Sequence, residues 1–274
     1  MKNPPFRHPP LFGATFAILV VLLFTFAGCG RKDSAGARVS NILKGRIIVV
    51  GLDDSFPPMG FRDEKNNIVG FDIDMAREAF KRLGAAKVEF KSINWKAKEA
   101  ELNSKRVDVL WNGLTITEDR KRQIAFTPPY MENHQIIIVP ANSPITDKAG
   151  LAGKVVGVQD GSSAVGAVEK DAAVRKTFRE LKTLGDNGAA LMDLSAGRLD
   201  AVVLDEVAGR FYLVKNHGEY RILKDNFGTE EYGVGLRKDD TALLAALQAA
   251  LDSMKRDGTA ARIATQWFGA NIIK

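Results

Sequence analysis

Arg120 stands where its charge is out of place. A helix should begin after Thr115 or Thr117, the former with Glu118 as a capping box, and Glu118 and Asp119 suit its positive first turn. A cation in that turn is unfavourable unless an anion meets it. Arg120 is therefore a candidate clamp for a carboxylate, and the competing reading is a surface pair with Glu118 or Asp119. A second candidate group is Gly161-Ser162-Ser163: Gly161 permits a tight turn, and Ser162 or Ser163 caps the next helix, leaving backbone N–H groups to meet a carboxylate. A third is Asp205-Glu206, which puts a carboxylate at the end of the strand expected over Leu199 to Leu204. Arg120 and Asp205 together would suit a zwitterion, opposite charges answering its two ends.

Motifs for enzyme chemistry fail by comparison. Gly161-Ser162-Ser163-Ala164-Val165 lacks the second Gly of a nucleophile elbow. Gly233-Val234-Gly235-Leu236-Arg237-Lys238 has Lys where a dinucleotide fingerprint needs its third Gly, and no phosphate loop ending Gly-Lys-Ser/Thr occurs. His134 and His217 are far apart without ligand spacing, so neither a metal nor another cofactor is expected.

The elements that must position these residues follow from periodicity. Ile47 to Gly51 is a β-branched run suited to a buried strand, broken by Asp53 to Pro58. Asn66-Asn67 marks a hairpin turn, and Ile73, Ala76, Phe80 and Leu83 fall at helical spacing before Gly84. Strand Val88 to Lys91, a loop holding Trp95, a helix to about Ser104 and strand Val107 to Trp111 continue an alternation that predicts α/β units with parallel sheets. The pattern then recurs. Gly45-Arg46-Ile47-Ile48-Val49 aligns with Gly153-Lys154-Val155-Val156-Gly157, and Leu102 to Val109 aligns with Leu194 to Ala201, each with Asp before its last residue. Two matches in the same order predict two similar lobes, with a cleft at the strand ends.

Of the 274 residues, 45% are hydrophobic and 26% charged, and 39 Lys plus Arg outnumber 33 Asp plus Glu for a net charge of +6. This is a globular composition. Lys2 and Arg7 precede an uncharged stretch from Leu11 to Gly28, the layout of a secretory signal rather than a permanent span. It ends in Phe26-Ala27-Gly28-Cys29, which resembles the bacterial lipobox; cleavage before Cys29 would leave that residue lipidated and anchored to the membrane. Losing Lys2 and Arg7 lowers the net charge to +4, too little and too dispersed to predict nucleic-acid binding. With a single Cys, no internal disulfide is possible.

Taken together, Gly70-Phe71-Asp72-Ile73-Asp74-Met75-Ala76-Arg77-Glu78-Ala79, Thr115-Ile116-Thr117 leading to Arg120, Gly157 to Ser163, Ala196-Gly197-Arg198-Leu199-Asp200 with Asp205-Glu206, and Gly233 to Lys238 resemble the bacterial solute-binding proteins of family 3. These are polar amino-acid-binding proteins of ABC importers. The resemblance implies a two-lobed α/β periplasmic-binding-protein fold of type II with two hinge strands. It places lobe 1 at 44–131 plus 231–274 and lobe 2 at 132–230, after a signal peptide at 1–28 and a tether at 29–43. It implies that Arg120 binds the ligand's α-carboxylate, helped by Thr115, Ser162 and Ser163, and that Asp205 accepts from the α-amino group beside the Gly113 carbonyl. Phe56 and Trp95 would sandwich the side chain and Asp53 read its tip, with Asn112 and Gln159 lining the pocket. An acidic Asp53 favours a cationic or amide-bearing ligand. The expected partners are an amino acid and a permease with its ATPase, for an exported, monomeric lipoprotein. A periplasmic dehydratase acting on cyclic precursors of aromatic amino acids, and a sensing module for a separate receptor, stay open on the same fold.

Overall fold

The computed structural model describes residues 42–274; the leader, Cys29 and most of the expected tether lie outside them. Leu43, within the expected tether, is fully buried, its N–H bonded to the Leu83 carbonyl.

Strand β1 (Ile47–Leu52) is followed by three very short strands, β2 (Ser55–Phe56), β3 (Gly60–Arg62) and β4 (Ile68–Val69), which pair as a small antiparallel sheet. Sequence reading expected only a break and a hairpin here, because strands of two or three residues leave no periodicity to read. The turn is as expected: Asn66 has φ 64°, and Asp63 accepts the N–H groups of Lys65 and Asn67. Helix α1 (Phe71–Arg82) buries Phe71, Met75, Ala76, Ala79 and Phe80 on one face, with Asp72 and Asp74 in its first turn and Lys81 and Arg82 in its last, as the helix dipole favours. Gly70 begins it at φ 144°, where an added Cβ would lie 2.2 Å from the Met59 carbonyl oxygen, so no side chain fits.

The first lobe continues with β5 (Lys87–Ser92), a 3-10 turn at Trp95–Ala97, α2 (Lys98–Asn103), β6 (Val109–Leu110), α3 (Glu118–Gln123) and β7 (Ala125–Phe126). The chain crosses to the second lobe in β8 (Met131–Pro140), then forms β9 (Val155–Gln159), α4 (Ser163–Lys170), α5 (Ala172–Arg175), β10 (Glu180–Leu184), α6 (Asn187–Ser195), β11 (Ala201–Asp205) and α7 (Glu206–Lys215). It returns along β12 (Tyr220–Tyr232) to β13 (Gly235–Leu236), and α8 (Thr241–Arg256) and α9 (Thr259–Phe268) pack beside α1.

Each lobe holds a five-stranded sheet, ordered β5-β1-β6-β13-β7 and β10-β9-β11-β8-β12. The sheets are mixed rather than parallel. β1 and β9 run parallel to both neighbours, whereas β13 pairs antiparallel with β6 and β7, and β8 with β11 and β12. The antiparallel strands are the crossing and returning segments, which the local alternation could not reveal. In the second lobe Ile136, Ile138, Val202 and Leu204 pack into one apolar cluster and Ile137, Val139, Ala201 and Val203 into another. Both faces of β8 and β11 are thus covered, which is why these strands read as unbroken apolar runs.

Candidate functional site

The loops at the carboxyl ends of the strands converge on one cavity of about 280 Å³, lined by Asp53, Phe56, Trp95, Asn112, Gly113, Thr115, Arg120, Gln159, Ser162, Ser163 and Asp205. All eleven residues singled out in the sequence therefore surround the same space.

Thr117, not Thr115, caps α3, accepting the Arg120 N–H at 3.2 Å. Freed from capping, Thr115 lies in the cavity wall. The Arg120 side chain is only 7% exposed. It turns away from Glu118 and Asp119, which pair with Lys121 and Arg122, and its Nε lies 3.6 Å from Glu99. Its terminal nitrogens donate to the carbonyls of Thr115 at 2.8 Å and, across the cleft, Gly161 at 3.1 Å. Burial pulls the guanidinium pKa down, and Glu99, Glu230 and Asp205 oppose that. Lys98, 3% exposed, also reaches the Gly161 carbonyl at 2.9 Å and contacts Glu99; burial, then the charge of Arg120, lowers its pKa to about 8. Ser162 begins α4 without a side-chain cap, its hydroxyl donating instead to the Gln159 carbonyl at 2.8 Å.

Asp205 ends β11, 6% exposed, accepting from Gln135 Nε2 at 2.8 Å and from the Tyr232 hydroxyl. Burial, then the nearby Glu230 carboxylate, pushes its pKa up to about 7. The opposite wall at Gly113 is fixed by Asp72, a fully buried carboxylate that accepts the Gly113 N–H at 2.6 Å and the Tyr130 hydroxyl at 2.9 Å. Its pKa is also raised to about 7, chiefly by burial.

At the far end Gln159 Nε2 donates to Asp53 Oδ2 at 2.5 Å across the cleft, and Asn112 Oδ1 accepts the Asp53 N–H at 3.0 Å. Burial raises the Asp53 pKa, and the charge of Asp186 adds to it. Phe56 and Trp95 are both buried, each packing into an apolar cluster as well as lining the cavity. Lys96 pairs with Asp160 over the rim at 2.9 Å.

Five participants escaped the sequence reading: Asp72 as a support for Gly113, Lys98, Glu99, Gln135 and Glu230. Three had a signal. Lys98 falls three residues after Trp95 and four before Leu102, on the buried stripe of its helix, and Asn133 and Gln135 alternate as buried amides along β8. Glu230, within a charged strand end, had none.

A two-lobed α/β fold closing on a small buried cavity, with a cation from one lobe and a carboxylate from the other, defines an extracytoplasmic binding protein. The profile of the bacterial extracellular solute-binding proteins, family 3, matches residues 48–270, and the chain belongs to that family. It is similar to the L-cystine-binding protein TcyJ of Escherichia coli (strain K12), 30% identical over 95% of this chain and 97% of the relative. It is also similar to the lysine/arginine/ornithine-binding periplasmic protein of the same organism, 32% identical over 81% and 88%. Among solved structures, an ancestral arginine-binding protein bound to arginine superposes with a TM-score of 0.77 at 39% identity, covering 83% of this chain and all of that one. A substrate-binding protein of an ABC uptake transporter from Streptococcus pneumoniae with bound histidine gives 0.80 at 33%, covering 83% and 94%. The chain is thus an exported amino-acid-binding protein and not an enzyme, and the dehydratase alternative falls, since these relatives are named for binding.

Proposed function

We propose that the protein captures an α-amino acid with a cationic or amide-bearing side chain, arginine first, and delivers it to an ABC permease and its ATPase. The observation that carries this reading is the opposition of Arg120 and Asp205, buried on different lobes against one small cavity. The α-carboxylate meets Arg120 and the N–H and hydroxyl groups of Ser162 and Ser163; the α-ammonium meets Asp205 and the Gly113 carbonyl. The side chain runs between Phe56 and Trp95, whose faces suit a cation, toward Asp53, Asn112 and Gln159. The moving bodies are 44–131 with 231–274, and 132–230, and their contacts to the ligand favour the closed state. The protein acts as a monomer, held to the membrane through lipidated Cys29; mass spectrometry of the mature N-terminus should find a lipid-modified Cys29, and a chain still starting at Met1 would refute the anchor.

A second reading is cystine. A relative that matches 95% of this chain is named for it, and the Asp53–Gln159 pair offers an acceptor and a donor to a second amino-acid head. A thermal-shift panel of arginine, lysine, histidine, glutamine and cystine separates the readings, because a ligand that binds only the folded state raises the melting temperature by mass action. Arginine should give the largest rise; the largest rise with cystine would establish the second reading, and none with any of them would refute both.

A further inference from the structure

Away from the cavity walls the two lobes also meet at an ion pair and at an aromatic cluster. The ion pair is Lys96 with Asp160; the Lys96 side chain is exposed, so solvent and salt screen the pair and it adds little to closure. The aromatic cluster is apolar and escapes that screening. Phe61 of β3 pairs with Ser55, which alternation along β2 puts on the opposite face of the small sheet from the cavity-lining Phe56. Its ring lies 5.6 Å from that of Phe211 on α7, centroid to centroid and tilted by 57°, and meets Trp267 of α9 edge-on at 6.0 Å. Trp267 is itself fixed by the bond from its Nε1 to Asp74 Oδ2 at 2.9 Å. Phe61 and Trp267 belong to the first lobe and Phe211 to the second; all three are half-buried, and none lines the cavity. Swinging the lobes apart would part Phe61 from Phe211 and wet both rings, while Phe61 and Trp267 would stay together.

We propose that Phe61 and Phe211, backed by Trp267, form an aromatic latch that holds the lobes together without touching the ligand, and so scales affinity by one common factor for every ligand the cleft accepts. Aromatic rings at such separations attract one another beyond the effect of the surface they bury. The contact exists only in the closed form, so it raises the population of that form with or without a ligand, and apparent affinity follows that population. Cavity residues distinguish one ligand from another; the latch does not. The proposal rests on the reading above of an amino-acid-binding protein that works by lobe closure.

Calorimetry on the full protein with arginine, lysine, histidine, glutamine and cystine tests it. Phe211→Ala should weaken every ligand that binds by the same factor, about fivefold to tenfold, and leave their order unchanged. Phe61→Ala should do likewise, and the double variant should lose little more than either single one, because the contact between the two rings is lost only once. If an Ala variant fails to fold, Leu at the same two positions gives the same cycle with a smaller coupling, about twofold to threefold. A role confined to packing within each lobe would give losses that add in the double variant. Additive losses, a factor that differs from ligand to ligand, or affinities within about twofold of the unaltered protein in Phe211→Ala overturn the latch and leave the amino-acid reading in place. If the unaltered protein binds none of the five, that reading fails, and small-angle scattering of the ligand-free protein judges the latch alone: the radius of gyration should rise in Phe211→Ala, and an unchanged radius overturns it.

Discussion

The two lobes share a frame and differ in what they hang on it. In the first, Gly51 of β1 lies opposite Leu110 of β6; in the second, Gly157 of β9 lies opposite Val202 of β11. Both glycines give room to the corner beside them, since a Cβ would lie 3.1 Å from the Val107 side chain and 2.4 Å from Leu199 Cδ1, and those side chains would have to shift. Each corner is tied to its strand by a pair of hydrogen bonds: Asp108 exchanges them with Val49 at 2.8 and 3.0 Å, and Asp200 with Val155 at 2.9 and 2.8 Å. Beyond this shared corner the residues diverge. The first strands continue to Asp53 and Gln159, equivalent places that meet in the cleft, and the second strands continue to the Gly113 carbonyl and the Asp205 carboxylate. Cation and anion sit on opposite lobes, so neither lobe can satisfy a zwitterion alone and closure becomes the act of binding.

The largest effect should come from breaking that opposition. Arg120→Ala or Asp205→Asn leaves one charge of the ligand buried and unmatched, a cost of about 2 to 5 kcal/mol, or roughly thirtyfold to several thousandfold in Kd. Calorimetry on the best ligand of the panel measures it, and near-unaltered affinity in either variant would show that the polarity of the lobes is incidental. Next is Gly161→Ala. Gly161 has φ 74°, and its Cβ would lie 2.6 Å from Lys96 Cα of the other lobe. The clash exists only when the lobes meet. Ligand affinity should therefore fall by about a hundredfold while the ligand-free melting temperature drops only by what a left-handed Ala costs, about 1 to 2 kcal/mol. Small-angle scattering with ligand should find the variant still open; a closed variant would break the argument.

The repeated strings Gly45 to Val49 and Gly153 to Gly157 exposed the two-lobed plan in the sequence but in the wrong register. They set Gly157 beside Val49, whereas the sheets set it beside Gly51, because apolar strings slide past one another freely and only the corner contacts pin them. Arg120, Ser162, Ser163 and Asp205 were legible because each lies at or beyond a strand end with chemistry that stands out there, and the family resemblance supplied the other seven lining residues with their roles. Their supports were not. Glu230 sits on a crossing strand whose pairing is set by chain return over a long sequence separation, the alternation of Asn133 and Gln135 does not say what their amides meet, and Asp72 reads as an ordinary acidic first turn until its partner Gly113 is in view. Glu99 looks like a surface charge until Arg120 folds over it.

The shared corner gives a smaller test. Asp108→Ala and Asp200→Ala should each cost about 1 to 3 kcal/mol in denaturant unfolding by stranding a buried N–H. Asp108 should cost more, because it also meets Arg237 at 3.3 Å. Lys105 and Gly197 precede these corners at φ 63° and 70°. Lys105→Gly should consequently stabilise the first lobe by about 1 kcal/mol, and Gly197→Lys destabilise the second by a similar amount. Unequal signs of that kind at equivalent turns would show that the lobes differ only by side-chain strain there; no gain from Lys105→Gly would break the equivalence.

The finest distinction is between Asp72 and Asp205, one carboxylate in each lobe, both raised to about 7. An unfolded Asp titrates near 3.9. Between about pH 4 and pH 7 the folded, ligand-free protein therefore holds more protons than the unfolded chain, and its stability should fall as pH rises through that window, with the loss levelling off above pH 7. Measured with an uncharged side chain such as that of glutamine, so that Asp53, also raised by burial, meets no cation, ligand affinity should move the other way through Asp205. An arriving ammonium requires the ionised carboxylate, so below pH 7 binding must expel a proton and Kd should worsen by up to about tenfold per pH unit. Asp205→Asn should bind weakly and lose the pH slope. Asp72→Asn should retain the slope, since Asp72 faces Gly113 and Tyr130 rather than the cavity, while losing its own part of the stability trend. Calorimetry from pH 5 to pH 8 on the three proteins reads both. A slope that survives Asp205→Asn would move the titrating group elsewhere and remove Asp205 from the ammonium end of the site.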